Sequence, residues 1–156
     1  MANKRPAILF VCLGNICRSP LAEAALRARA EEAGLDIIVD SAGTGDWHVG
    51  RPPDVRAQAT AKRHDIDISA YSARQVRSDD FDRFTHIFAL DHENLANLRR
   101  LAPANASASL SLLMDMVPGL EGQPVADPYF GDEDGFEITW DEVDAAAQAL
   151  VDRLRP

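Results

Sequence analysis

The residues most able to do chemistry lie together in one short segment, CLGNICRS, at positions 12–19. Cys12 can act as a nucleophile, and Arg18 can hold an oxyanion with two parallel N–H donors. The glycine and asparagine between them tolerate positive φ, which lets successive backbone N–H groups turn inward as an anion-binding nest. Such a nest would also stabilise a thiolate, and Ser19 can donate a hydrogen bond to it. The segment therefore predicts an oxyanion site with a reactive sulfur at its base, whereas the alternative is an ordinary turn with a buried cysteine.

Two other regions supply groups that would complement this site. Asp127, in the sequence DPYF, can give a proton to a departing oxygen. Tyr129 and Phe130 make its surroundings apolar, which favours the protonated carboxyl. Trp47 lies in a loop and follows no helical or strand periodicity. Together with Tyr129 it could enclose a flat aryl group, although a simple turn and a surface-packed tryptophan are the alternatives.

Other ligand-binding patterns fail on their spacing. The sequence has no G-x-x-x-x-G-K-[ST] loop, and Gly43, Gly45 and Gly50 do not have the spacing of a dinucleotide site. It has no H-E-x-x-H pattern. Cys12 and Cys17 form half a zinc site at most, and two cysteines so close together form no disulfide framework. We therefore expect neither a metal nor a nucleotide.

Strand and helix patterns alternate along the chain. Apolar runs predict strands at 8–11, 37–39, 86–90 and, more weakly, 110–113. Helical composition and capping residues predict helices at 21–33, 54–64, 78–84, 91–101 and 139–154. This alternation predicts an α/β fold with a parallel sheet and right-handed crossovers. Sites in such folds lie at the carboxyl ends of the strands, where the loops 12–19, 43–53 and 118–135 belong.

Length and charge limit the class of protein. The 156 residues, of 17.0 kDa, suit one domain spanning 1–156. The net charge is −9, with 11 basic and 9 acidic side chains in residues 1–78 against 5 and 16 in residues 79–156. A chain this acidic is a poor binder of nucleic acid or of an anionic membrane surface. Any bound anion must therefore be held by a local arrangement of donors.

Several features bear on the cellular context. No apolar run is long enough to span a membrane, and the first residues lack the pattern of a signal peptide, so we expect a cytoplasmic protein without membrane insertion. The basic side chains are 14 Arg and 2 Lys, a usage typical of GC-rich bacterial genomes. Nothing in the sequence indicates an oligomeric state.

The motifs, in their order along the chain, resemble the low-molecular-weight protein tyrosine phosphatases. The resemblance covers nearly the whole chain and rests on VCLGNICRSP, DSAGTGDWHVG, ARQV, LDHENL and DPYF. It implies a three-layer α/β fold with a four-stranded parallel sheet of order 2-1-3-4 and helices on both faces. It also implies hydrolysis of phosphotyrosine in a protein substrate, without metal or cofactor.

The resemblance assigns roles to individual residues. Cys12 resembles the nucleophile, and Arg18 the guanidinium that holds phosphate. Asp127 resembles the general acid, which then acts as the base that activates water against a phosphocysteine. The phosphate cradle would comprise Leu13, Gly14, Asn15, Ile16, Cys17, Arg18 and Ser19. The aromatic walls would be Trp47 and Tyr129.

Three residues resemble groups that support or regulate the cradle, and a fourth departs from the family pattern. Asn15 corresponds to the residue that fixes the shape of the loop, and Ser41 to its hydrogen-bond partner. Cys17 resembles a second loop cysteine that can trap Cys12 in a reversible disulfide. Tyr71 stands where eukaryotic members have a histidine that supports Asn15.

Two alternatives remain open on the residues alone. Arsenate reduction on the same fold needs further thiols, and no cysteine follows Cys17, so an external thiol would have to take part. A phosphocysteine carrier needs neither a general acid nor an aryl wall. Asp127, Trp47 and Arg18 argue against that second alternative.

Overall fold

The computed structural model describes residues 5–129, 131 and 133–155. The strands are β1 (Ala7–Cys12), β2 (Ile38–Gly43), β3 (His86–Ala89) and β4 (Ser109–Leu112). They form one parallel sheet in the order β2-β1-β3-β4. The helices are α1 (Arg18–Glu32), α2 (Val55–Arg63), α3 (Asp80–Arg83), α4 (His92–Leu101) and α5 (Glu133–Leu154), and a 3-10 turn covers Leu113–Met116. The predicted α/β class and the strand order 2-1-3-4 are confirmed.

The central strand β1 is buried on both faces. Ile8 and Phe10 pack with α1, α2 and α5, whereas Leu9 and Val11 pack with α3 and α4. Successive side chains of a strand point to opposite faces, so an all-apolar β1 separates two hydrophobic layers. The helices on both faces thereby enclose the end of β1, where Cys12 lies.

Two element boundaries near the first loop differ from the prediction. Helix α1 begins at Arg18 rather than at residue 21, because the Leu21 N–H already donates to the Cys17 carbonyl at 3.3 Å. Strand β2 continues to Gly43 rather than ending at residue 39, because residues 40–43 pair with residues 9–12 of β1. This tertiary pairing overrides the weak strand propensity of Asp, Ser and Gly.

Helix α5 begins at Glu133, whereas the sequence predicted a loop through residue 135 and a helix from Thr139. Phe136 is fully buried in the cluster shared with α1, which favours helix through this glycine-containing turn. The Thr139 hydroxyl donates to the Ala126 carbonyl at 2.9 Å. The start of α5 therefore anchors the loop that carries Asp127.

None of the helices in the described part of the chain combines the length and the apolar character that a bilayer crossing requires.

Candidate active site

The segment predicted to bind an anion connects the central strand to the first helix. The chain leaves β1 at Cys12 and enters α1 at Arg18. Between them, Asn15 has a φ of 59°, in the left-handed region that asparagine tolerates. Strand β2 passes so close that a Cβ added to Gly43 would lie 2.7 Å from the Leu13 carbonyl oxygen. The shape of the loop therefore depends on a glycine in a neighbouring strand.

A chain of hydrogen bonds runs from the Cys12 sulfur into the protein interior. The Cys12 Sγ lies 2.9 Å from the Ser19 Oγ. The Asn15 amide donates to the Ser19 Oγ at 2.8 Å and to the Ser41 Oγ at 2.9 Å. The Ser41 hydroxyl donates to the Glu23 Oε1 at 2.6 Å. Since the amide nitrogen can only donate, the Ser19 hydrogen is left free to point at the sulfur.

Glu23 is a buried carboxyl at the far end of this chain, with 6% of its surface exposed. The Arg27 Nε donates to its Oε2 at 2.9 Å. Burial raises the pKa of Glu23, and the contacts with Ser41 and Arg27 offset only part of that rise. When it is ionised, Glu23 can only accept hydrogen bonds and so fixes the direction of the Ser41 hydroxyl.

The Arg18 guanidinium is held by three groups from distant parts of the chain. Its Nη1 donates to the Asp91 Oδ2 at 2.9 Å and to the Val125 carbonyl at 3.0 Å. Its Nη2 lies 3.7 Å from the Asp127 Oδ2. Arg18 is 4% exposed, so these contacts fix its plane at the edge of the cleft. Asp91 also caps α4 by accepting the Asn94 N–H at 2.8 Å.

The loop that carries Asp127 is attached to its surroundings on two sides. The Val125 N–H donates to the Leu90 carbonyl at 2.7 Å, at the end of β3. The Arg56 Nη2 donates to the Tyr129 carbonyl at 3.0 Å, with its guanidinium 5.7 Å from the centre of that ring. Asp127 itself is half exposed and faces Arg18. Phe130, named above for its apolar character, lies outside the described residues.

These elements enclose a cleft of about 200 Å³. Trp47 is 69% exposed and Tyr129 is 38% exposed, so both rings are open to a bound molecule. The predicted cradle residues Asn15 and Ser19 lie behind the cleft wall, in the hydrogen-bond chain. The lining residues are Cys12, Leu13, Gly14, Ile16, Cys17, Arg18, Trp47, His48, Asp127 and Tyr129.

Cys12 and Cys17 both lie at this cleft, as free thiols. Cys17 is buried, and burial together with the Asp54 carboxylate raises the pKa of its thiol well above the ordinary value. Cys17 is therefore a poor nucleophile at neutral pH. The reversible disulfide between the two cysteines stays a prediction.

The family model described as low molecular weight phosphotyrosine protein phosphatase matches residues 7–156. The chain belongs to this family. A low molecular weight protein-tyrosine-phosphatase of Streptomyces coelicolor is 44% identical over 153 residues, covering 95% of this chain and 93% of the relative. A low molecular weight phosphotyrosine protein phosphatase of Schizosaccharomyces pombe is 43% identical, covering 86% and 87% respectively.

A solved structure extends this similarity to the fold. The crystal structure of a protein tyrosine phosphatase from Entamoeba histolytica, with Hepes in its active site, matches with a TM-score of 0.89. It is 35% identical, and the match covers 96% of each chain. The family resemblance that the sequence motifs indicated is thus confirmed over nearly the whole length of the present chain.

In this phosphatase the Asn15 side chain is supported by three described hydrogen bonds. Besides Ser19 and Ser41, its Oδ1 accepts the Arg74 N–H at 3.0 Å. Tyr71 instead lines a polar cavity of about 130 Å³ beside Glu23 and Asn15. Burial and the Glu23 charge raise the pKa of Tyr71 to about 12.

Sequence reasoning missed several residues that shape the site, namely Glu23, Gly43, His48, Arg74 and Asp91. Gly43 lies in the motif DSAGTGDWHVG, but its close approach to the first loop becomes visible only when β2 pairs with β1. Asp91 was predicted only to begin a helix. In the described part of the phosphatase, no group of three or more His, Cys, Asp and Glu side chains is arranged to hold a metal ion.

Proposed function

We propose that this chain hydrolyses phosphotyrosine in proteins, and small aryl phosphates, through a phosphocysteine intermediate. The observation that carries the proposal is the cleft that joins Cys12, Arg18 and Asp127 between two exposed aromatic rings. A phosphorylated phenol would place its ring between Trp47 and Tyr129. Its phosphate would then reach the loop where Cys12 lies.

In the first step, the Cys12 thiolate attacks phosphorus in line with the aryl oxygen. A sulfur–phosphorus bond forms while the bond from phosphorus to that oxygen breaks. The bonding electrons pass to the oxygen, which takes a proton from Asp127. The Ser19 hydroxyl, oriented by the Asn15 amide, stabilises the thiolate before attack.

In the second step, water hydrolyses the phosphocysteine. Asp127, now a carboxylate, takes a proton from the water. The water oxygen attacks phosphorus at the same time, and the Cys12 sulfur leaves as a thiolate. Inorganic phosphate is released and Asp127 is again protonated. The half-exposed position of Asp127 gives it access to both the aryl oxygen and water.

Charge on the phosphoryl oxygens would be balanced by two sources. The N-terminal turn of α1 has N–H groups without helical partners and the positive end of the helix dipole. The Arg18 guanidinium is already oriented by Asp91 and Val125. Donors that are fixed before the reaction stabilise the transition state without reorganisation.

Two substitutions test this function. Cys12→Ser should abolish turnover of phenyl phosphate, because a hydroxyl is not ionised at neutral pH. Asp127→Ala should slow turnover about 10²- to 10⁴-fold, because the aryl oxygen leaves without a proton. Full activity of the Cys12→Ser protein would contradict the assignment of the nucleophile. A pull-down with the Asp127→Ala protein would then identify the phosphotyrosyl proteins that it traps.

Two further measurements separate the alternatives. Arsenate reduction is not favoured by the comparisons, and no cysteine follows Cys17 in the sequence to relay the oxidation. Thiol oxidation that depends on arsenate, without aryl phosphate hydrolysis, would support it. A phosphocysteine carrier would instead keep its label for minutes after phosphorylation, whereas we expect rapid hydrolysis.

A further inference from the structure

A second groove lies beside the cleft and shares a wall with it. This groove has a volume of about 250 Å³ and runs from the loop after β2 to the end of α4. Leu13 and Trp47 line both the cleft and the groove. The end of α4 contributes Arg100 and Leu101. A molecule that fills the cleft can therefore continue into the groove without leaving the surface.

The groove exposes large apolar side chains. Leu13 is 45% exposed, Trp47 is 69% exposed and Leu101 is 49% exposed. Single exposed apolar residues are common on protein surfaces, but a group that lines one concave surface is typical of a binding site. These three side chains offer a contact for an apolar residue of a bound segment.

The groove also contains a cation, Arg100, that pairs with none of the carboxylates among the described residues. In the described part of the chain, no carboxylate lies within 4.0 Å of the Arg100 guanidinium, whose Nη2 donates to the Asn97 Oδ1. Arg99 and Arg100 both occupy the last turn of α4, where a cation stabilises the helix dipole. Of these two arginines, only Arg100 lines the groove. Stabilisation of the helix dipole therefore does not explain why an arginine faces the groove.

The charge of the surrounding chain makes this position notable. Residues 79–156, which include α4, carry 16 acidic and only 5 basic side chains. An uncompensated arginine in such a surrounding, next to an anion-binding cleft, complements an acidic ligand. Its planar guanidinium is suited to a carboxylate.

We propose that this groove binds the residues that flank phosphotyrosine in a protein substrate, and that it selects an acidic residue next to an apolar one. The acidic side chain pairs with Arg100, and the apolar side chain packs against Leu13, Trp47 and Leu101. The proposal rests on the phosphotyrosine phosphatase function proposed above. It adds a preference for sequence around the phosphotyrosine.

Phosphotyrosyl peptides with Glu or Lys beside the phosphotyrosine test the charge preference. One peptide pair differs on the N-terminal side of the phosphotyrosine, and a second pair differs on the C-terminal side. On one of the two sides, we expect kcat/KM of the unsubstituted protein to be about fivefold higher for Glu than for Lys. Arg100→Glu should reverse that preference, because attraction becomes repulsion.

Arg99→Glu is the matched control, since it makes the same change of charge one residue away from the groove. It should keep the preference for Glu. Equal effects of Arg99→Glu and Arg100→Glu would assign the preference to the general electrostatic field of the protein and would overturn the groove proposal. The absence of any preference on both sides of the phosphotyrosine would also overturn it. Leu101→Asn should lower, by about threefold, the preference for a peptide with Leu over one with Ala beside the acidic residue.

Phenyl phosphate separates failure of the groove from failure of the proposed function. It fills only the cleft, so the unsubstituted protein and the Arg99, Arg100 and Leu101 variants should turn it over at similar rates. Turnover of phenyl phosphate without any peptide preference would overturn the groove alone. Absence of turnover in the unsubstituted protein would overturn the phosphatase function, and the groove proposal with it.

Discussion

Two substitutions of Asn15 separate the contribution of its backbone from that of its side chain. The residue has a φ of 59°, and its side chain makes hydrogen bonds to Ser19, Ser41 and the Arg74 N–H. Asn15→Gly keeps a residue that adopts this φ readily but removes all three hydrogen bonds. Asn15→Ala removes the hydrogen bonds and also introduces a residue that adopts a left-handed backbone conformation less readily than glycine or asparagine.

The expected loss of stability follows from these contacts. Each hydrogen bond contributes about 1 kcal/mol, so Asn15→Gly should lower the free energy of unfolding by about 3 kcal/mol. The left-handed backbone adds about 1 kcal/mol for alanine, which gives about 4 kcal/mol for Asn15→Ala. Both variants should also lower kcat, because the Ser19 hydroxyl loses the amide that orients it toward Cys12.

Urea unfolding at pH 7 measures both free energies, and phenyl phosphate turnover measures kcat. Asp65 is a matched control, since it has a φ of 65° and is exposed. Asp65→Gly and Asp65→Ala should differ from each other by about the same 1 kcal/mol, without the large loss that both Asn15 variants share. An Asn15→Gly protein within about 0.5 kcal/mol of the unsubstituted protein would refute the stabilising role of the three hydrogen bonds.

Two further substitutions test groups that the sequence did not reveal. Burial raises the pKa of Glu23 in the folded protein, so the free energy of unfolding should fall as pH rises from the ordinary carboxyl pKa to the raised one. Glu23→Gln should remove that fall, and parallel curves for the two proteins in urea titrations across this interval would contradict it. Asp91→Asn should lower kcat for phenyl phosphate about tenfold, because the Arg18 guanidinium loses its charged partner at 2.9 Å. An unchanged kcat would contradict this, because it would show that the Val125 carbonyl and Asp127 orient Arg18 without a charged Asp91.

Local capping signals could be predicted from the sequence. Asp54 and Asp91 were both placed at the start of helices, and each accepts a backbone N–H of the first turn, from Arg56 and from Asn94. The helix boundaries near these residues agree with the prediction to within one residue. Capping depends on groups two or three residues apart, so a short stretch of sequence contains the necessary information.

Contacts between distant segments could not be predicted in this way. Glu23 lies in an Ala-rich helical stretch, where a charged residue ordinarily faces solvent. It is buried because β2 brings Ser41, 18 residues away, next to α1. The second carboxylate oxygen of Asp91 accepts a hydrogen bond from Arg18, which lies 73 residues earlier in the sequence. The family resemblance predicted one contact between distant segments, the hydrogen bond between Asn15 and Ser41, because it assigned that pairing directly.

The charges around Arg18 bear on the phosphate binding proposed above. Arg18 already faces Asp91 at 2.9 Å and Asp127 at 3.7 Å, so its charge is largely compensated before any ligand binds. With a net charge of −9, the protein gains little long-range attraction for a phosphate. The attraction must then come from N–H groups at the start of α1 and in the loop, which carry partial charge without a counter-ion. In the mechanism proposed above, Arg18 then contributes direction as well as charge, and Asp91 keeps its plane aligned with the oxygens to be bound.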